Sequence, residues 1–357
     1  MRKYYTRPCN FYYGDYAKKL IKNKKALILA GNPNIAFDQV EIFHRKKGFT
    51  QSTLYSISKL DFLNKEKKSI IKSDLKKITA KRKNLTGIKF DKPKIMGVLN
   101  ITPDSFSDGG LFFDENKAYT QAKSMIEGGA AIIDVGGEST RPGSKTINEK
   151  EEWNRIKNLI IKLKNNFSKF PISLDTRKSY VMSKGIEAGV NIINDVSGLN
   201  FDKNSFNLIN SNKIPFVLHH MQGTPNTMQK NPKYKDALLD IYDFFEKKIN
   251  FSVKNKYNRN FIIIDPGIGF GKNLDHNLRI ISKISTFHSL GCPILIGTSR
   301  KRFIEHIVTK FDTRDRTGGT LASVLYGLSQ GVQLFRVHNV KEINQGILVF
   351  NKILNIN

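Results

Sequence analysis

Asp265-Pro266-Gly267-Ile268-Gly269-Phe270-Gly271-Lys272 follows a β-branched apolar run at 261–264 and precedes a stretch, 273–287, in which Leu274, Leu278, Ile281 and Ile284 recur at helical spacing. A carboxylate where a doubly buried strand runs out into a glycine-rich loop stands at the edge where α/β folds place chemistry. Alone, Asp265 reads equally well as a helix cap. It has company: Asn100, Asp134 and Glu138, Asp175, Asn194 and Asp195, His219 and His220, Ser299 to Lys301, and Arg336 with His338 all end apolar runs. Asp175, Asn194, Asp265 and Lys301 together suit a flat heterocycle with an amide and amine edge, because a carboxylate accepts two parallel N–H bonds. Arg141, Arg300, Lys301, Arg336 and His338 offer cationic hydrogen bonds to phosphate or pyrophosphate. Asn100 is an oxygen ligand suited to Mg²⁺ carried on phosphate oxygens.

The runs that position these groups are eight, at 95–100, 130–136, 171–176, 191–196, 215–220, 261–266, 293–299 and 333–339, with amphipathic helical stretches such as 115–127 and 178–188 between them. Eight buried strands alternating with helices over about 260 residues predict an α/β fold of the (β/α)8 TIM-barrel type. A doubly wound open sheet is the second choice, but no Gly-x-Gly-x-x-Gly follows the first strand. In a closed parallel barrel all eight strand ends ring one mouth. Helix capping explains any one of them, yet Arg, Lys and His are poor N-caps, so the eight together predict a site. Two polar, Gly-rich loops, 102–110 and 136–144, are longer than plain βα connections and are read as closing loops.

Residues 1–93 differ. The net charge of the 357-residue chain is +28, and residues 1–94 hold 24 Lys+Arg against 7 Asp+Glu, which is +17 and leaves 28 − 17 = +11 for the rest. Lys, Asn and Ile are enriched throughout, so the charge supports attraction of anionic substrates and not a nucleic-acid partner. A strand at 26–30, another at 39–43 and a basic helix over 64–83 predict a small N-terminal α+β extension without chemistry of its own, placed under the barrel or at a subunit contact. Cys9 and Cys292 are too few and too distant for a disulfide framework or metal cluster. No apolar h-region follows Met1 and no apolar stretch nears 18 residues, so a soluble, cytoplasmic protein without membrane contact is expected.

The run Ile95 to Gly110, with Asn100-Ile101-Thr102-Pro103-Asp104-Ser105-Phe106-Ser107-Asp108, resembles the opening motif of the dihydropteroate synthase family. Asp134 to Ser144, Asp175-Thr176-Arg177-Lys178, Asn194 to Gly198, Asp265 to Lys272, Ser299-Arg300-Lys301 and Arg336-Val337-His338 follow in the family's order, over residues 94–350. The resemblance implies a barrel that joins 4-aminobenzoate to 6-hydroxymethyl-7,8-dihydropterin diphosphate with Mg²⁺ assisting, in a homodimer. It implies that Asp175, Asn194, Asp265 and Lys301 hold the pterin, with His219 on the pocket floor, and that Arg336, His338 and, through Mg²⁺, Asn100 hold the diphosphate. Phe106, Thr140, Pro142, Phe270 and Lys301 would line the aminobenzoate site, and Asp108 and Arg141 would act from the closing loops. On this pattern Asp108, Arg141, Asp175 and Lys301 are the catalytic set. Asp108→Ala is expected to cut turnover strongly with a modest loss of pterin binding, measured by pyrophosphate release.

Two positions depart from the family pattern: His219 stands where a Met is common, and Asn339 where an Asp follows the Arg-Val-His run. The N-terminal 93 residues lack the repeated acidic metal-site pattern of a fused pyrophosphokinase. A methyltetrahydrofolate–corrinoid methyltransferase would share the pterin-holding Asp and Asn but would not need Ser299-Arg300-Lys301 or Arg336-Val337-His338. A catalytically dead pterin- or nucleic-acid-binding protein predicts lost site residues, which are present here.

Overall fold

Short runs of β-branched residues, buried on both faces, build a ring of parallel strands, and a separate antiparallel sheet precedes them. The computed structural model of the chain describes residues 2–47, 49–102, 115–140, 143–308 and 316–356. The first part comprises β1 (Tyr4–Tyr13), α1 (Gly14–Lys22), β2 (Leu27–Leu29), β3 (Asn32–Arg45), β4 (Thr50–Ser56) and α2 (Lys65–Thr79). β3 pairs antiparallel with β1, β2 and β4, from Tyr4 opposite His44 to Tyr13 opposite Ile35 along β1. Asn64 caps α2 by accepting from the Lys67 N–H, and Ile71 and Ile78 bury one face of the helix against Leu29, Phe37, Val40 and Ile42.

The second part alternates β5 (Lys94–Asn100), α3 (Glu115–Glu127), β6 (Ile132–Gly136), α4 (Glu149–Asn166), β7 (Ile172–Asp175), α5 (Ser179–Glu187), β8 (Ile192–Asp195), α6 (Ser205–Asn212), β9 (Phe216–His219), α7 (Ala237–Lys254), β10 (Ile262–Asp265) and α8 (Leu274–Ser282). β11 (Leu295–Ile296), α9 (Arg302–Ile307), α10 (Thr317–Leu328), β12 (Leu334–Val337) and α11 (Val340–Leu354) complete it. The strands are ordered β10-β9-β8-β7-β6-β5-β12-β11, all parallel, and a bridge from Ile264 to Ile294 brings the two ends together. This is the expected (β/α)8 barrel.

Every expected barrel strand forms, but β11 keeps only two residues of its run. Pro293 lacks a ladder donor at one end and Gly297 has no side chain to pack at the other. The N-terminal expectation falls short in three places. β1, α1 and β4 were not among the expected elements, β3 is far longer than 39–43, and the basic helix stops at Thr79 because Ala80 turns extended. β4 is an edge strand exposed along most of its length, so its polar TQSTLYS sequence carries no apolar alternation.

Charge joins the two parts. Arg2 pairs with Asp74 of α2 and with Glu246 of α7, Arg45 pairs with Asp240 and Asp243 of α7, and Glu41 bridges Arg7 and Lys283. Beyond α2 the chain passes under the barrel, where Leu85, Ile88 and Phe90 pack against Met96, Ile132, Ile192, Val217, Ile263, Leu295 and Leu334.

Candidate active site

Side chains alternate across a strand, so inward positions recur every two residues. The apolar layer just described is the first inward set. Two residues further along the same strands come Val98, Asp134, Asn194, His219, Asp265, Gly297 and Arg336, and β7 contributes Asp175 two residues after Ser173. One more step brings Asn100, Gly136, Val196, Ser299 and His338. The barrel interior thus changes from apolar to polar over a single pleat. Gly136 lies between Asn100 and Asp175 on neighbouring strands. A Cβ there would come within 3.3 Å of the Asp175 Cβ and 3.4 Å of the Asn100 Oδ1, so only glycine lets the two approach.

A cavity of about 980 Å³ opens above this layer. Of the residues predicted from sequence, Asn100, Thr140, Asn194, His219, Asp265, Phe270, Lys301, Arg336 and His338 line it. Asp175 is not among the lining residues and reaches the cavity wall through Arg336. Phe106, Asp108, Arg141 and Pro142 lie outside the described residues. Asp134, named from sequence as a strand-end residue but given no role, is the hub: its Oδ2 accepts from Asn194 Nδ2 at 2.9 Å and from Arg336 Nε at 2.7 Å. Arg336 Nη2 donates to Asp175 Oδ2 at 2.7 Å. Period-two counting from Ile132 would have turned Asp134 inward. The same parity explains which strand-end residues turn away from the site. Asp195 accepts from the Ser197 N–H at 2.7 Å, its Oγ–H at 2.6 Å and the Leu199 N–H at 3.2 Å. His220 likewise turns to Lys272, whereas Glu138, which has the parity of Asp134 but lies past the end of β6, is spent on Arg177 and Lys178.

Three buried oxygens of this polar layer meet no donor among the described residues: Asn194 Oδ1, on a residue that lines the cavity, and Asp134 Oδ1 and Asp175 Oδ1 next to it in the layer. Asp265 spends Oδ1 on the Gly267 N–H at 2.8 Å and directs Oδ2 toward Gly297. Buried acceptors without partners are costly, so this pocket favours a ligand rich in N–H groups. Asn194 gives its amide N–H to Asp134, which leaves its oxygen as the acceptor. Three carboxylates, Asp134, Asp175 and Asp265, stand against two cations, Arg336 and Lys301. Burial, with Asp134, Glu152 and Asp195 adding to it, pushes the Asp175 carboxyl up to about 7 against the pull of Arg336. Burial lifts Asp265 to about 6, with the Gly267 N–H and Lys301 opposing. Lys301 is brought down to about 8 by burial and Arg336, with Asp265 and Asp175 opposing. Burial opposes the Arg336 charge, but Asp134 and Asp175 more than offset it.

On the other side of the cavity, Lys301 Nζ lies 3.9 Å from the centre of the Phe270 ring, a cation–π contact. His219 meets Phe270 edge-on at 4.6 Å and gives its Nδ1–H to the Val196 carbonyl at 3.0 Å. Burial, then Lys272 and Lys301, hold this imidazole well below its ordinary value, so it is neutral with Nε2 as an acceptor. His219 is therefore both a hydrogen-bonded core residue and a wall of the cavity. His338 Nδ1 lies 3.0 Å from Ser299 Oγ. Arg300 gives two N–H bonds to Asn339 Oδ1, at 2.8 and 3.2 Å, so the Asn at this position leaves that guanidinium without a carboxylate there. Arg316 and Arg302 continue the cationic rim, with His306 beside them. These rim groups of α9 and α10 carried no strand-end signal and were not predicted.

A family model described as "Pterin binding enzyme" matches residues 96–338. A relative from Synechocystis, called dihydropteroate synthase, is 39% identical over 251 residues, covering 70% of this chain and 86% of the relative. The structure of a Yersinia pestis dihydropteroate synthase with a sulfonamide drug complex superposes with a TM-score of 0.71 at 36% identity, over 75% of this chain and 97% of that one. A Xanthomonas albilineans dihydropteroate synthase with 4-aminobenzoic acid superposes with a TM-score of 0.71 at 32% identity, over 76% and 96%.

Proposed function

The chain belongs to the pterin-binding enzymes, among the dihydropteroate synthases, and on that premise we propose that it joins 4-aminobenzoate to 6-hydroxymethyl-7,8-dihydropterin diphosphate. It releases pyrophosphate and forms 7,8-dihydropteroate for folate biosynthesis. The observation that carries this reading is the set of buried acceptors on Asp134, Asp175 and Asn194 that no described residue bonds, joined by Asp265. A 2-amino-pyrimidinone edge with its adjoining ring N–H supplies donors in the number and kind they lack.

In the reaction the bond between the pterin methylene and the diphosphate oxygen breaks, and its electron pair leaves with pyrophosphate. The excess of carboxylate over cation in the pocket stabilises the resulting delocalised cation in a low-dielectric site. The amine of 4-aminobenzoate then forms the C–N bond, and the proton it sheds passes to water. Lys301 as an ammonium donates to the pterin and caps the Phe270 ring, beside which the aminobenzoate ring stacks, with Thr140 also lining the cavity. Arg336 keeps Nε and Nη2 on the carboxylates and turns Nη1 toward the diphosphate together with His338. Phe106, Asp108, Arg141 and Pro142 keep the roles that the family resemblance implies for the closing loops.

Mg²⁺ belongs to the proposal. Asn100 supplies one amide oxygen near Arg336 and His338, which fits an ion that arrives on the diphosphate and keeps its water, and does not fit one held by protein alone. Among the described residues no group of three or more His, Cys, Asp or Glu is arranged for a metal. Held that way, the ion would neutralise charge on the leaving pyrophosphate.

A homodimer is supported by Leu348, Val349 and Ile353, which leave an apolar row of α11 exposed. A cytoplasmic location is supported by two free, buried cysteines. No helix among the described residues is long and apolar enough to cross a membrane. The test of function is pyrophosphate release with Mg²⁺ and the dihydropterin diphosphate, with and without 4-aminobenzoate. Release that depends on 4-aminobenzoate and is lost in Lys301→Ala supports the synthase; tight pterin binding without release moves the function to a methyltransferase or a binder.

A further inference from the structure

Lys272 ends the glycine-rich loop and has no part in the reaction above. It is 3% exposed. Its Nζ lies 2.8 Å from the Phe270 carbonyl, 3.0 Å from His220 Nδ1 and 3.3 Å from the His220 carbonyl. Three acceptors match the three hydrogens of an ammonium, so every polar hydrogen is turned onto the protein. Among the described residues no carboxylate reaches it by hydrogen bond or ion pair, and its acceptors there are all neutral. Burial, eased by Asp265 and reinforced by Lys301, holds its pKa well below the ordinary lysine value. Such a group is costly to keep, and a packing role alone would be met by Met or Leu.

The surrounding loop shows what the cost secures. Gly267, Gly269 and Gly271 all adopt left-handed backbone, with φ of 68°, 80° and 63°. Three such residues in five give the loop little stiffness of its own. It is fixed by side chains around it, three of which (Gln229, Lys272 and Asn277) also line the cavity: Gln229 Nε2 on the Gly269 carbonyl at 2.6 Å, Tyr234 Oη on the Gly271 carbonyl at 2.8 Å, Asn277 Oδ1 on the Gly269 N–H at 2.8 Å, and Lys272 on Phe270 itself. Lys272 is the one that grips the residue whose ring carries Lys301 on its face and His219 at its edge.

We propose that Lys272 is a positioning residue for 4-aminobenzoate: it holds the Phe270 carbonyl, and through it the ring platform, against the end of β9. The inference rests on the proposed reading of Phe270 as part of the aminobenzoate site. It assigns Lys272 no contact with either substrate.

The test is steady-state kinetics with each substrate varied in turn, and calorimetric binding of the dihydropterin diphosphate. Lys272→Met is expected to raise the KM for 4-aminobenzoate about tenfold, with kcat within about threefold and pterin diphosphate binding within about twofold. In a Phe270→Ala background the same substitution should add nothing, because the ring it holds is gone. Tyr234→Phe, nearly isosteric and on the same loop, should move the same constant about threefold and decides the matter if Lys272→Met does not fold. Equal losses for both substrates would mark a purely structural lysine and overturn the proposal. So would full additivity with Phe270→Ala, or an unmoved KM in both single variants. A wild-type protein that releases no pyrophosphate overturns the synthase reading instead.

Discussion

The two ends of the barrel interior are built by the same strands, two residues apart, and they obey opposite rules. At the lower end Leu85, Ile88 and Phe90 close an apolar layer with Met96, Ile132, Ile192, Val217, Ile263, Leu295 and Leu334, and all ten side chains are buried. At the upper end Asp134, Asp175, Asn194, Asp265 and Arg336 form a buried polar layer in which three acceptors find no donor among the described residues. The lower layer stabilises the fold by burial, whereas the upper one leaves polar groups unsatisfied until a ligand arrives. Stability and binding are therefore separated along each strand rather than between domains.

If this division is right, substitutions at the two ends fail in different assays. The largest effect is expected at the upper end: Asp175→Asn should lower 4-aminobenzoate-dependent pyrophosphate release about 10³-fold, as loss of preorganised charge does, while the melting temperature holds or rises. A parallel collapse of thermal stability would break the comparison. At the lower end Phe90→Ala should cost about 3 kcal/mol of stability through the cavity it leaves, read by urea denaturation, while both KM values stay within about twofold.

Asp134→Asn sharpens the boundary between the layers. An amide there no longer accepts at full strength from Asn194 Nδ2 and Arg336 Nε, so pterin diphosphate binding should weaken about tenfold, as is typical for a buried charge-assisted bond. Calorimetry checks it, and unchanged affinity would remove Asp134 from the hub.

The smallest effect lies in pH. The ionised Asp175, pushed up to about 7, and protonated Lys301, brought down to about 8, should give kcat/KM a narrow bell with limbs near those values. The acid limb should vanish in Asp175→Asn. The sign for stability is the reverse. Asp175 and Asp265 have raised values when folded, so their contribution is present in full below about pH 4 and is lost as pH rises through 6 to 7. The ligand-free protein should melt lower at pH 7.5 than the Asp175→Asn variant does, relative to their melting points at pH 5. Equal shifts in both would remove Asp175 as the titrating group.

The N-terminal part shows where reading from sequence runs out. β1 is a ten-residue strand whose Tyr-rich, Pro- and Cys-containing sequence has no clean alternation, because it is covered in part on both faces: Tyr5 and Thr6 are fully buried side by side. β4 is exposed and polar, with nothing to mark it but its pairing with β3. Both strands exist through long-range pairing, which no local propensity encodes.

The barrel is the opposite case. Eight apolar runs spaced by helices determined the fold class, and the polar residues that end them determined which side chains meet at the mouth, because a parallel barrel sends all its strand ends to one face. What the sequence left open was parity and partnership. Asp134 and Asp195 each stand near the end of a strand, yet the pleat turns the first into the pocket and the second onto its own turn. Arg336 reads as a phosphate ligand, yet the closing of β12 against β5 sets it on Asp134 and Asp175. Lys272 reads as one more lysine in a lysine-rich chain, and burial beneath three left-handed glycines makes it a pin. Residue type and spacing carry the chemistry a side chain can do; which partner it does it with depends on register and burial, and these arise only when distant segments pack.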